Sequence, residues 1–342
     1  MGVKVGLVGL GVMGTIHFKA FQEIEGAEVR AVCDLLPERL KGDWASAAGN
    51  IDTGAARQTD LTAIETYASF GRMLRKADVD MIDVCLPTHL HAKFAIAALK
   101  AGKHVFCEKP MALTSRQCRR IADAAEQAGR FLMIGHVLRF CPEYVWMKEA
   151  IDTSRYGRVK SVVLRRIGGI PHWGGAGGWF ADSAKSGNAA LDLHIHDVDT
   201  VQWFFGQPRR VSSQGAVEAD GGVRHIITQY YYDDGKAVVA EGGWLDASHP
   251  FFMSATIFFE RATVGFDSRQ SPTLVVYAGS EKETPAIGPA EGYTEELRYF
   301  VNCVSSGVAP RRITPSDAAA AVALVEAEIK SVKTARAVKV QK

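Results

Sequence analysis

Apolar residues fall in two patterns along this chain, and the pattern changes near residue 150. In the first part, "VKVGLVGL", "AEVRAVCD", "VDMIDVCLP", "KHVFCEKP" and "RFLMIGHVLRF" are nearly continuous apolar runs. Such runs suit strands of a parallel sheet covered on both faces. Between them, "HAKFAIAALKAG" has helical periodicity and stops at Gly102. "TSRQCRRIADAAEQAG" opens on a Thr/Ser cap and stops at Gly129. Strand and helix in alternation predict a doubly wound parallel sheet. The segment from Gly42 to Thr66 is longer than connections in such units, and reads as an insertion with short helix content.

Beyond residue 150 the strands alternate polar and apolar positions, as in "GRVKSVVLRRI". "HIITQYYYDDGKAVVAEGGW" reads as two strands joined at Asp234-Gly235, a strong hairpin signal. "MSATIFFERATVGFDS" is a second hairpin and "TLVVYAG" a further strand, so this half predicts an antiparallel sheet. "YTEELRYFVNCVSSG" and "TPSDAAAAVALVEAEIKSVKTA" predict two helices. The expected fold is α/β. A Rossmann domain over 1–137 precedes a domain over 138–342 with a large, open, mostly antiparallel sheet, and the C-terminal helices are free to pack back on the first domain.

Composition narrows the class. The chain has 342 residues, 47% apolar and 23% charged, enough to bury a core without staples. A net charge of +2 gives no field that would favour nucleic acid or an acidic membrane surface. No run of about 18 apolar residues predicts a membrane span. The N-terminal stretch lacks a small-residue cleavage site and runs straight into a glycine motif, and position 6 lacks the Ser or Thr of a myristoylation signal. The six cysteines are scattered without a C-x-x-C pair and read as reduced, buried thiols of a cytoplasmic protein.

Gly9-x-Gly11-x-x-Gly14 lies between the first strand and a helical pattern, the context a dinucleotide fingerprint needs. Gly9 allows the tight turn, Gly11 the approach of a pyrophosphate, and Gly14 close helix packing. Val12 and Met13 complete the loop, whose helix N-terminus offers free N–H groups to phosphates. Asp34 ends the second strand twenty residues after Gly14, placed to accept from ribose hydroxyls and to repel a 2′-phosphate. That favours NAD; Arg39, close by, leaves NADP open.

"LDLHIHDVDT", Leu191–Thr200, holds two histidines and three aspartates. Read as the start of a helix running through "VQWFFG" to Gly206, it puts Asp192 and His196 about 40° apart, on one face, and His194 and His196 about 200° apart. That spacing argues against His194 and His196 chelating one ion. Read as a strand, both histidines would share a face and a metal-dependent hydrolase would return as a reading. No metal is expected. Asp197 and Asp199 fit a solvated face, and His194 a structural histidine.

"GLGVMGTIH", "LPTHLHAKFAIAALKAGKHVFCEKP", "GHVLRF" and "WFADSAKSGNAALDLHIHDVD" together resemble the glucose-fructose oxidoreductase / inositol dehydrogenase / MocA family across nearly the whole chain, in order. The resemblance implies a pyridine-nucleotide enzyme. It places the family's lysine at Lys109 and its aspartate and histidine at Asp192 and His196. The usual asparagine after the proline that ends "VDMIDVCLP" is Thr88 here, and the usual glycine run is thinned to "SGNAAL". Histidine suits the base that takes the alcohol proton, since its ordinary pKa of ~6.5 lies near working pH. A lysine can stabilise the developing alkoxide. Leu86, Thr88, His91 and Glu108, with Lys109, are expected around the cofactor. His136, Arg139 and Trp179 are expected with Lys109, Asp192 and His196 around the substrate. Trp173 shares the glycine-rich loop with Trp179. The implied function is hydride transfer between NAD(P) and a secondary alcohol or ketone of a sugar or cyclitol, in a homodimer or homotetramer. The rival reading is a non-catalytic nucleotide or sugar sensor on the same fold.

Overall fold

β1 (Val3–Val8) is apolar on both faces and runs directly into the glycine turn, so it is a central strand. The computed structural model describes residues 2–47, 58–171, 178–289 and 291–340. The chain divides into two compact units, 1–137 with 171–180 and 291–319, and 138–170 with 181–290 and 320–342. The first segment of the first unit ends at Val137, and two later segments return to it.

In the first unit, β2 (Ala27–Cys33), β3 (Glu65–Tyr67), β4 (Met81–Val84), β5 (His104–Glu108) and β6 (Leu132–Gly135) join β1 in a parallel sheet. Its order is β3-β2-β1-β4-β5-β6, that of the Rossmann fold. The connecting helices are α1 (Val12–Gln22), α2 (Phe70–Lys76), α3 (Thr88–Lys100) and α4 (Ser115–Ala128). The Thr114 hydroxyl caps α4 by accepting from the Gln117 N–H, and Gly129 ends it in the left-handed region. The last apolar run departs from expectation. Its strand stops at Gly135, and Val137–Phe140 form a 3₁₀ turn. Of the Gly42–Thr66 insertion, residues 48–57 lie outside the described residues; the helical content found is the 3₁₀ turn Arg39–Lys41 just before it.

The second unit begins with α5 (Pro142–Asp152) and β7 (Val159–Gly169), followed by α6 (Ser183–Ser186), α7 (Asn188–Asp192) and α8 (Ile195–Phe205). Then come β8 (Arg210–Val217), β9 (Val223–Tyr231), β10 (Ala237–Leu245), β11 (Phe252–Phe259), β12 (Thr263–Asp267), β13 (Leu274–Ala278) and β14 (Glu281–Glu283). α9 (Gly292–Ser306) belongs to the first unit, α10 (Pro315–Thr334) starts there, and β15 (Val338–Lys339) ends the fold. The sheet runs β14-β13-β12-β11-β7-β10-β9-β8-β15. It is antiparallel except for β7 against β10, which are parallel.

Strand alternation gives this sheet two faces. Val162, Leu164, Ile226, Ala240 and Ile257 are buried on one, the face α7 and α8 pack on. Val163, Ile227, Phe258 and Tyr277 stand exposed on the other. Their registers, Phe258 opposite Thr263 and Thr263 opposite Tyr277, put Phe258 and Tyr277 in one cross-strand row. Among the described residues no helix is long and apolar enough to cross a membrane. None of the six cysteines is in a disulfide, and four of them are buried.

Candidate active site

The C-terminal edge of the parallel sheet gathers most of the expected cofactor residues. Gly9 has φ +92°, and a Cβ there would lie 2.3 Å from the Cys85 carbonyl oxygen. A Cβ on Gly14 would lie 1.8 Å from the Gly9 oxygen. Only glycine fits either place. Gly11 is the N-cap of α1 and has no capping side chain, so the N–H groups of the first turn, at Val12 and Met13, remain for an anion. Beyond the loop, the Asp34 carboxylate accepts from Leu10 N at 2.7 Å and Leu36 N at 2.9 Å. A carboxylate has roughly four acceptor sites, so capacity remains for ribose hydroxyls. Arg39 Nη1 lies 3.5 Å from Asp34 Oδ2, beside the open side of Gly11. These residues fit a dinucleotide.

β4 and β5 supply the next expected residues. Leu86 follows β4, its side chain against Gly9. Thr88 is the first residue of α3 and is buried. His91 is buried as well, its Nδ1 2.8 Å from the Pro110 carbonyl and its Nε2 2.6 Å from that of Leu86. Burial lowers its pKa. A neutral imidazole carries one N–H, so His91 donates to one of these carbonyls at a time. It braces the Lys109–Pro110 turn from within, rather than presenting its ring nitrogens to a cofactor. Glu108 likewise departs from a cofactor contact. Its carboxylate turns into the domain, with Oε2 accepting from Lys109 N at 3.1 Å and Oε1 3.1 Å from His17 Nε2. Lys109 itself is half-buried at the end of β5, where parallel sheets place ligands. His136, just past β6, is buried.

The second unit carries the "LDLHIHDVDT" stretch, and three expectations for it fail. The stretch is not one helix, because α7 ends at Asp192 and α8 begins at Ile195. The 40° relation between Asp192 and His196 therefore does not hold as a helix geometry. Asp199 is not solvated: it is 1% exposed and receives two hydrogen bonds from Arg139, at 2.9 and 2.7 Å. Asp197, fully buried, accepts from Arg166 at 2.9 Å. Arg139 is thereby committed inside the unit, not offered to a substrate. Asp192 is nearly buried and His196 half-buried. His194 is fully buried, its Nε2 3.4 Å from Glu328 Oε2 and 3.5 Å from the Tyr230 hydroxyl. A Cβ on Gly242 would lie 2.5 Å from His194 Nδ1, so the ring rests on a strand glycine. Trp179 is half-buried and stacks on Phe180 at 3.9 Å; Trp173 lies outside the described residues.

Sequence reasoning missed Glu296 and Glu328, both fully buried acids. The signal was present: each interrupts the apolar stripe of its helix, Glu296 four residues before Phe300 and Glu328 four after Leu324. Two groups among the described residues have the ligand-atom spacing of a cation site, His17-Asp83-Cys85 and His17-Glu108-Glu296.

Fold and site together define a dinucleotide-binding α/β protein with a second, sheet-based domain. Two family profiles match it. One, described as an oxidoreductase family with NAD-binding Rossmann fold, covers residues 3–136, and the GFO/IDH/MocA C-terminal domain covers 144–264. The chain belongs to the GFO/IDH/MocA oxidoreductase family. It is 26% identical over 360 residues to inositol 2-dehydrogenase of Rhizobium meliloti, across 99% of this chain and 100% of that one. With inositol 2-dehydrogenase of Salmonella typhimurium it shares 29% over 211 residues, 60% of this chain and 56% of that one. The match thus spans little more than half the length of that relative. The fold is that of myo-inositol 2-dehydrogenase from Lactobacillus plantarum, with TM-score 0.81 and 24% identity over 100% of both chains. Levoglucosan dehydrogenase, solved with NADH and levoglucosan, shares it at TM-score 0.82 and 20% identity, again over 100% of both chains.

Proposed function

We propose that this chain is an NAD(P)-dependent oxidoreductase that moves a hydride between the nicotinamide ring and a secondary alcohol or ketone of a sugar or cyclitol. The observation that carries the reading is Lys109, at the carboxyl end of β5 in a glycine-loop Rossmann sheet. When bound, the nicotinamide accepts or returns the hydride of the carbinol carbon. The chain's own residues handle the proton and the charge. His196 takes the hydroxyl proton on oxidation, Asp192 orients His196 or binds a neighbouring hydroxyl, and Lys109 donates to the oxygen as it gains charge. Asp34 selects the unphosphorylated ribose. Lys109, Asp192 and His196 are all present, which disfavours the sensor reading.

The test is a fluorescence titration with NADH and NADPH, then turnover of a panel of polyols beginning with myo-inositol. NADH binding with polyol turnover supports the reading. Binding of neither nucleotide overturns it.

Two coarser properties accompany this function. The exposed row of Phe258 and Tyr277, with Val163 and Ile227, suits a homodimer or homotetramer built on the open sheet face. Sedimentation showing only monomer at micromolar concentration would remove that proposal. Six cysteines outside any disulfide fit a cytoplasmic protein.

A further inference from the structure

We propose that His17, Glu108 and Glu296 form a buried proton-sharing cluster that fixes the backbone from which Lys109 projects, which makes His17 and Glu296 positioning residues. The inference rests on the reading of Lys109 given above. The groups come from four elements of the first unit: His17 from α1, Asp83 from β4 with Cys85 just beyond it, Glu108 from β5 and Glu296 from α9. His17, Asp83 and Glu296 are each 0% exposed, and Glu108 is 5%. No solvent is at hand to pay for stray charge, so the protons must be counted.

Start with His17. Its Nδ1 lies 2.8 Å from Asp83 Oδ2, and its Nε2 3.1 Å from Glu108 Oε1, an ion contact off the hydrogen-bond axis. A ring held between two carboxylates is stable with both nitrogens protonated. Burial works against that charge, but the Asp83 carboxylate, ionised and at hydrogen-bond distance, outweighs it and holds the His17 pKa well above its ordinary value. The Cys85 sulfur is 3.2 Å from Nδ1, and burial keeps it a neutral thiol. Tyr293 of α9 lies with its ring 6.3 Å from that of His17.

Glu296 is the group left over. Among the described residues neither of its carboxyl oxygens has a hydrogen-bond partner, yet an oxygen of Glu296, one of Glu108 and a nitrogen of His17 all lie within 4.8 Å of one another. Three ionised acids around one imidazolium would leave two negative charges uncompensated in the interior, and a proton on Glu296 removes one of them. The inexpensive arrangement keeps the proton on Glu296. Burial, and next the Glu108 charge, push its carboxyl well above the ordinary range.

Glu108 transmits this to the active edge. Burial opposes its charge, but the nearby His17 and Lys109 charges keep it ionised, with an oxygen for the Lys109 N–H at 3.1 Å. Gly135 makes room, since a Cβ there would sit 3.0 Å from Glu108 Oε1. Loss of the His17 charge would drive a proton onto Glu108 and weaken that anchor.

Two variants test the cluster, with Lys109→Met as the control on the underlying reading. Glu296→Gln copies the protonated acid. It should keep kcat within about twofold near neutral pH and show a weaker alkaline decline than wild type. His17→Gln removes the cation; it should lower kcat by about 10- to 100-fold, the scale of loss for misplacement of up to about 1 Å, while NADH affinity stays within about twofold. A merely structural role would lower the melting temperature and leave kcat per folded molecule unchanged, and that result overturns the proposal. Independent of turnover, difference infrared spectra of wild type against Glu296→Gln should show a protonated-carboxyl band at neutral pH. Absence of that band, or a stoichiometric divalent cation in the wild type that is lost in Glu296→Gln, also overturns it. Full turnover in Lys109→Met would defeat the catalytic reading alone, leaving the infrared band to judge the cluster.

Discussion

Arg139 and Asp199 meet in a two-point ion pair inside the second unit, with Nε–Oδ2 at 2.9 Å and Nη2–Oδ1 at 2.7 Å. Both are nearly inaccessible, and the guanidinium also lies 5.9 Å from the Trp203 ring. Breaking such a pair from one side strands a buried charge and costs about 3–5 kcal/mol. Arg139→Met should therefore lower stability by roughly that amount in urea, without changing the denaturant slope much. Adding Asp199→Asn should recover part of the loss, because the stranded charge is gone. Full additivity of the two substitutions would argue against coupling.

The glycine loop makes a sharper claim. Gly9→Ala must tolerate φ +92° and a Cβ 2.3 Å from a backbone oxygen of the neighbouring strand end. The left-handed conformation alone costs about 1–2 kcal/mol, and the overlap adds to it. The expected result is a destabilised protein whose NADH affinity falls at least about tenfold. Gly11→Ala, where a Cβ meets nothing among the described residues nearer than Arg39 Nη1 at 3.8 Å, should keep stability and lose only nucleotide affinity. Equal losses of stability in both variants would refute the distinction.

How much of this could be read beforehand depends on where each partner lies. The parallel half was legible because its signals are local: continuous apolar runs, a Thr114 cap, a Gly129 stop. The hairpin at Asp234-Gly235 was legible for the same reason. The parallel pairing of β7 with β10 was not, since an alternating strand carries no record of its neighbour's direction. Asp197 and Asp199 read as solvated because their partners, Arg166 and Arg139, stand 31 and 60 residues away. The break between α7 and α8 has no Gly or Pro to announce it. It falls at Leu193-His194, where the imidazole settles on Gly242 against Glu328, a packing event between distant segments. The catalytic candidates were legible by resemblance, whereas the acids beneath Lys109 emerge only when α9 is seen to return to the first unit.

The proposed basis of cofactor choice is the pair Asp34 and Arg39. The carboxylate holds the Leu10 and Leu36 amides and stands 3.5 Å from the guanidinium. Asp34→Asn keeps one acceptor oxygen and removes the repulsion toward a 2′-phosphate. The ratio of NADPH to NADH affinity should rise by about tenfold, or ~1.4 kcal/mol. Arg39→Ala in the same background should cancel the gain if the guanidinium receives the phosphate. An unchanged ratio in Asp34→Asn would show that another group sets the preference.

Stability should carry the mark of the buried cluster in its pH dependence. His17 and Glu296 both have folded pKa values raised well above their ordinary values, so both bind protons more tightly in the folded state. Stability from such groups is fully present below the unfolded pKa and is lost as pH rises through the folded one. For Glu296 the decline begins near its unfolded value of about 4.5, for His17 near about 6.5, and both continue upward. Wild type should thus lose stability from weakly acidic to alkaline pH. Glu296→Gln should lose less, so the difference between the two proteins widens as pH rises. Parallel curves from pH 5 to 9 would mean that Glu296 titrates alike in both states.

The roles proposed above for His196, as base, and Lys109, as donor to the alkoxide, separate proton transfer from charge stabilisation. Removing the base in His196→Ala should cost about 10²–10⁴-fold in kcat. The acidic limb of the wild-type pH profile, in the oxidation direction, should disappear with it. Lys109→Met removes the donor to the developing alkoxide, at a cost of about 10²–10³-fold. Its residual activity should keep the acidic limb, because His196 still takes the proton. Both variants should bind NADH nearly as wild type does, since neither side chain holds the adenosine half. If Lys109→Met abolished the acidic limb and His196→Ala kept it, the two roles would be exchanged: lysine would be the base, and histidine the group that steadies the oxygen.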